Sequence, residues 1–218
     1  MLKDNPESTN IIEIRGRVAE GFTFSHEVYG EGFYSFAVET ERLSESVDIL
    51  PVTVSERLLE GTALAPGDLV DIYGQVRSYN NYIEEERRNR LLITIFAREI
   101  EPVNDFSSQS KNPNEVFLDG FICKKPVYRE TPFGREIADI LLAVNRSYNK
   151  SDYIPCICWG RNAKFAASLN ISDNVRVSGR LQSRTYQKKY DDGTIVEKIA
   201  YEISISKIEL VKEAIRES

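Results

Sequence analysis

The sequence predicts an all-β chain of two similar halves, each a small closed barrel or sandwich of about five strands. Three observations carry this. Apolar runs of strand length recur between turn residues, each half holds only one short helical stretch, and the second half repeats the first at a near-constant offset. Asn10 and Asn114, Gly16 and Gly120, Asp48 and Asp152, and Pro51 and Pro155 are each 104 residues apart. Gly74 and Gly179 are 105 apart, and Ile100-Glu101 and Ile208-Glu209 are 108 apart. An offset that grows only in loops is the signature of a tandem duplication.

In chain order, residues 1–9 are polar and read as a loose N-terminus. Asn10 to Val18 alternates as a strand does, with Gly16 at a bulge or sharp bend. Phe22 to Tyr29 and Gly32 to Thr40 form two further runs around Gly30-Glu31-Gly32, a hairpin signal. Val47 to Val54 is another strand. Ser55 then caps a helical stretch from Glu56 to Leu64. Pro66-Gly67-Asp68 is a turn, Leu69 to Val76 a strand, and Arg90 to Glu99 the last strand of this half. Tyr79 to Asn89, with its run Glu84-Glu85-Glu86-Arg87-Arg88, reads as a solvated polar loop.

The chain divides into a first barrel at 10–103, a Ser/Asn/Pro-rich linker at 104–113, a second barrel at 114–211 and a tail at 212–218. A five-stranded Greek-key barrel with one helix bridging strands three and four is the OB-fold. The fold expected is therefore all-β: two tandem five-stranded Greek-key OB-fold barrels, each with one short helix.

The net charge of −6 conceals an asymmetry. Residues 1–110 carry 10 Lys and Arg against 20 Asp and Glu, whereas residues 111–218 carry 18 against 14. Between Cys123 and Tyr190 there are 13 cations and 5 anions, and a polyanion responds to this local field rather than to the chain average. Three cysteines fit reduced thiols better than a disulfide framework. Cys156 and Cys158 point to one face of a strand, but a zinc site needs about four ligands and only Cys123 remains. His26 is the single histidine, with no evident catalytic partner, so neither an enzyme nor a metal or cofactor site is expected. No apolar run approaches the ~18 residues of a membrane span, and the first residues lack a signal pattern, so a cytoplasmic location is expected.

The second half resembles the bacterial single-stranded DNA-binding protein family, OB-fold proteins that coat exposed strands during replication and repair. The matching residues are Asn114, Val116, Leu118, Gly120, Pro126, Arg129, Thr131-Pro132, Gly134, Leu142-Ala143 and Asn145-Arg146. They continue through Tyr153-Ile154-Pro155-Cys156, Trp159-Gly160, Gly179-Arg180-Leu181-Gln182-Ser183-Arg184 and Tyr186. The resemblance covers roughly residues 112–210; the first half is similar only in skeleton. It implies four base-stacking positions, which fall on Tyr148, Tyr153, Trp159 and Tyr186. Phe133 joins them as a candidate, with Arg129, Arg135, Arg146, Lys150, Arg161, Arg180, Arg184, Lys188 and Lys189 as candidate phosphate contacts.

Each has a plainer reading beside this one. Trp159 closes an alternating strand and fits a core. Phe133 sits in Thr-Pro-Phe-Gly, which serves as a hairpin turn. Lys188 and Lys189 before Asp191-Asp192-Gly193 keep a hairpin tip soluble. In the first half Ile49 and Ser55 stand where Tyr153 and Trp159 do, and Glu84 to Glu86 lie near Tyr79 and Tyr82. That barrel reads as degenerate for DNA and as an assembly surface.

The resemblance further implies single-stranded DNA as ligand, a nucleoid-associated location, replication or repair proteins as partners, and a homodimer giving four OB-folds. Family members usually end in a Gly-rich tail with an acidic tip; this sequence reads Lys-Glu-Ala-Ile-Arg-Glu-Ser218 there. The alternative function is a tandem OB-fold adaptor, or primosome-type interaction protein, with weak nucleic-acid affinity.

Overall fold

The computed structural model describes residues 9–42, 44, 46–83, 88–105, 113–190 and 192–211. Residues 1–8, the acidic run at 84–87, most of the linker (106–112) and the tail (212–218) lie outside the described residues.

The first half contains β1 (Asn10–Val28), β2 (Glu31–Glu41), β3 (Val47–Ser55), α1 (Glu56–Leu59), β4 (Leu69–Ile83) and β5 (Arg88–Val103). The second contains β6 (Asn114–Ile122), β7 (Val127–Glu130), β8 (Glu136–Arg146), β9 (Lys150–Trp159), α2 (Arg161–Ala167), β10 (Asn174–Lys189) and β11 (Ile195–Leu210). Strand pairing closes twice, as β1-β2-β3-β5-β4-β1 and as β6-β8-β9-β11-β10-β6, with the short β7 added beside β8. Within each circuit only β3–β5 and β9–β11 run parallel. Both circuits have the OB-fold order, each closed on itself.

Inward positions on each strand are β-branched or aliphatic: Ile12, Val38, Leu50, Val52 and Ile95 in the first half, Leu118, Leu142, Ile154, Leu181 and Ile203 in the second, all essentially inaccessible. The duplicated residues mark the corners. Buried Asn10 donates to the Val76 carbonyl and accepts from the Val76 amide. Asn114 does the same for Leu181. Each amide thus replaces a ladder rung where the long strand bends away at a bulge. Gly74 and Gly179 sit at those bulges because a Cβ would lie 2.4 Å from the Phe96 carbonyl oxygen or 2.2 Å from that of Ser204.

Three local expectations differ. β1 runs unbroken through Ala19–Gly21, because three register shifts against β2 let it bend without ending. α1 stops at Leu59 rather than Leu64: Ser55 accepts from the Arg57 amide as a cap should, but Gly61 takes φ +77 and ends the turn. Residues 79–83 and 88–89 belong to strands, not to a loop, since the β4–β5 ladder continues to the Ile83–Arg88 pair. Backbone pairing carries this hairpin beyond the barrel, where side chains such as Tyr79 and Tyr82 are exposed.

The halves join through β1 and β6, which pair antiparallel from Asn10–Leu118 to Ile14–Asn114. The central rung is Ile12–Val116, two residues 104 apart, so each copy meets its own duplicate. This is isologous packing about a pseudo-two-fold axis inside one chain.

Candidate nucleic-acid interface

On β9 the period-two alternation separates two faces. Ile154, Cys156 and Cys158 point into the barrel, while Tyr153 is 46% and Trp159 40% exposed. Burial pushes both thiols up, Cys158 to about 12, so they stay protonated core side chains. The Trp159 indole donates to Ser204 Oγ at 3.3 Å, which holds the ring across the β9–β11 pair. Tyr148 occupies the β8–β9 turn at φ +61, followed by Asn149 at φ +53. This left-handed pair throws the Tyr148 ring into solvent, 95% exposed. Tyr186 is half-buried on β10, with the Arg184 guanidinium 5.8 Å from its ring centre. Phe133 is exposed in the β7–β8 turn, where Gly134 takes φ +73.

The nine cations divide into distinct environments. Arg135, Lys150, Arg161 and Lys189 are exposed and have no carboxylate partner among the described residues. Arg129 pairs with Asp139 at 3.1 Å and Arg184 with Glu202 at 3.6 Å, both with exposed guanidinium groups. The Lys188 ammonium lies 4.2 Å from the Tyr190 ring centre. Arg146 and Arg180 face the seam between the barrels instead.

That seam holds two buried carboxylates related by the duplication. Asp152 accepts from Arg146 of its own barrel and from Arg77 and the Ser78 amide of the other. Asp48 accepts from Arg42 of its own barrel and from Arg180 and both the amide and hydroxyl of Ser183 in the other. Burial works to raise the Asp48 carboxyl, but the hydrogen bonds from Arg42 and Ser183 outweigh it and hold the pKa below its ordinary value. The two aspartates therefore act as buried latches between barrels. Residue type alone does not separate Arg146 and Arg180 from cations that face solvent.

The residues corresponding to Tyr153 and Trp159 in the first barrel are Ile49, 46% exposed, and Ser55, buried and donating to Glu31. Aromatic side chains nevertheless lie beside these positions. The His26 ring stacks on Phe33 at 5.0 Å with planes 9° apart, and Phe33 lies 5.7 Å from Phe96. The Arg98 guanidinium stands 5.2 Å from the Phe96 ring centre. The sequence signal was present in the alternation of β2, which puts Phe33 on the outer face opposite Phe36 and Val38. A cleft of about 450 Å³ runs between the barrels, lined by Pro51, Thr53 and Arg90 on one side and Arg184, Tyr186 and Tyr201 on the other.

Among the described residues no helix is long and apolar enough to cross a membrane, and no three metal-ligating side chains cluster.

Residues 113–211 match the Single-strand binding protein family. Single-stranded DNA-binding protein A of Bacillus subtilis (strain 168) is 34% identical over 96 residues, which cover 41% of this chain and 56% of that protein. The single-stranded DNA-binding protein of Clostridium tetani (strain Massachusetts / E88) is 34% identical over 100 residues, 41% of this chain and 68% of its own. Single-stranded DNA-binding protein B of Bacillus subtilis is 36% identical over 83 residues, 35% of this chain and 74% of its own. The chain thus spans little more than half of the first relative. The wild-type single-stranded DNA binding protein from Thermus aquaticus superposes with a TM-score of 0.74 at 18% identity over 96% of both chains, a likeness of fold.

Proposed function

This chain belongs to the single-strand binding protein family, and from that premise we propose that it binds single-stranded DNA without sequence preference, through its second barrel. The observation that carries the reading is the pair Tyr153 and Trp159, both turned outward on β9 and both exposed, where a strand built only for packing would bury them. A single strand offers π-faces and phosphates. Each base stacked on a ring contributes about 1–3 kcal/mol whatever its identity. Tyr148 and Tyr186 extend the row along the turn before β9 and onto β10. Arg135, Lys150, Arg161 and Lys189 supply charge for phosphates, with Arg129, Arg184 and Lys188 beside them. Arg146 and Arg180 contribute mainly by holding the barrels together.

Trp159 is the sole tryptophan, so its fluorescence reports the site directly. Titration with oligo-dT quenches it, and the affinity falls as salt rises, with a slope near −0.7 per phosphate contacted. An unchanged signal at low and high salt, with no complex by anisotropy, sinks the reading and favours the adaptor alternative.

The proposal extends to a role in replication, repair or recombination and to a homodimer of four OB-folds. Support for self-association comes from exposed Phe121 and Leu210, which strand pairing gathers beside Asn174 and Val175 at one end of the second barrel, and from exposed Ile171 in the turn leading into β10. Light scattering giving a monomer at micromolar concentration removes the dimer.

A further inference from the structure

We propose that the first barrel carries a second base-stacking platform, built on His26, Phe33 and Phe96, which a bound strand reaches from Tyr186 through the cleft between the barrels. This rests on the proposed function and departs from the sequence expectation of a degenerate first copy.

One cross-strand rung differs between the two barrels. In the second barrel Ile137 of β8 pairs with Trp159 of β9. The duplicated rung in the first barrel pairs Phe33 of β2 with Ser55 of β3. Each barrel therefore places one large aromatic on the same outer rung, but on opposite strands. The neighbouring strand matches the exchange. Trp159 leans on the small Ser204 of β11, and Phe33 leans on Phe96 of β5. Ser204 is bridged to Ile157 and Phe96 to Thr53, two positions 104 apart. The aromatic surface has been redistributed rather than lost. His26, exposed and flat on Phe33, adds a ring with a face toward solvent.

A route to this platform exists. The Ser35–Thr53 rung lines the cleft, and Phe33–Ser55 is the next outward rung on the same face. Across the cleft stand Tyr186 and Arg184 of the second barrel, and Arg90 reaches over to the Ile199 carbonyl at 3.1 Å. Tyr186 and the Ser35–Thr53 rung thus line one cleft, and the platform begins on the neighbouring rung.

The charge of the first half decides how the platform grips. Glu31 is close by but is engaged by Ser55 and by Arg57 at 3.3 Å, while Glu56 packs against Gly32. Arg98 stands over the Phe96 ring. Stacking should dominate here, so this segment lengthens the binding site while adding little to the salt slope.

The test uses the full chain, with oligo-dT of about 8 nucleotides, within the span of one OB-fold, and of about 30 nucleotides. The double variant Phe33→Ala/Phe96→Ala is expected to bind the short oligomer as the unmodified chain does and the long one roughly ten- to a hundredfold more weakly, with an unaltered salt slope. A reporter, Phe33→Trp in a Trp159→Phe background, is expected to be quenched by the long oligomer and not by the short one. If the unmodified chain binds neither length, the proposed function fails and this inference falls with it. If the double variant binds both lengths normally, or loses both equally, the inference alone is overturned. A reporter that stays bright in a chain still bound to the long oligomer also overturns it.

Discussion

Trp159 and Asp48 set the contrast at the scale of single residues, because one faces water at a cost and the other leaves it at a cost. Trp159→Ala is expected to weaken oligo-dT binding by about 1–3 kcal/mol while leaving the thermal midpoint within a few degrees, read by anisotropy and calorimetry on the same sample. Asp48→Ala should do the reverse. It strands Arg42 and Arg180 at the seam; both guanidinium groups are partly exposed, so the loss should be smaller than the about 3–5 kcal/mol of a fully buried pair, measurable by urea unfolding. Asp152→Ala, with Arg77 and Arg146 left behind, should match it. Tyr148, Tyr153, Trp159 and Tyr186 were candidates from the sequence because the family resemblance assigns those motif positions, and the structure shows their exposure. The fates of Arg146 and Arg180 were not legible there, since a buried ion pair formed between distant segments leaves no mark on local residue order.

Among the elements, the two long hairpins β4–β5 and β10–β11 depend on a glycine bulge at their base. Gly179→Val puts a branched side chain where a Cβ already lies 2.2 Å from the Ser204 carbonyl, and no flexible neighbour can give way. Overpacking of this kind costs about 1–3 kcal/mol or more. Gly74→Val should cost a comparable amount, so that both variants lower the urea midpoint; a neutral result for either would show that the bulge relaxes freely. The boundaries of elements were the least legible part of the sequence. Bulges let β1 continue where its apolar alternation lapses, and backbone pairing extends β4 and β5 past the last buried side chain. Neither device depends on side-chain periodicity, which is the signal that sequence reading uses.

For the molecule as a whole, the pseudo-two-fold seam makes stability depend on acid. The Asp48 carboxyl sits below its ordinary range in the folded chain, so its contribution is complete above the unfolded value of about 4 and is lost as pH falls through the lower folded value. The urea midpoint should therefore drop on acidification below about pH 4, and the drop should be shallower in Asp48→Asn. An identical acid profile in the variant would remove Asp48 from the account. Sequence alone determined the duplication, the all-β class and the OB-fold order. All of these follow from short-range alternation and from two copies read against each other. Only the tertiary structure decided that β1 meets β6 about a two-fold axis, that two aspartates latch the seam, and that Phe33 occupies the rung where its duplicate has isoleucine and the opposite strand holds Trp159. Each of these is a contact between positions far apart in the chain, chosen by geometry after the barrels close.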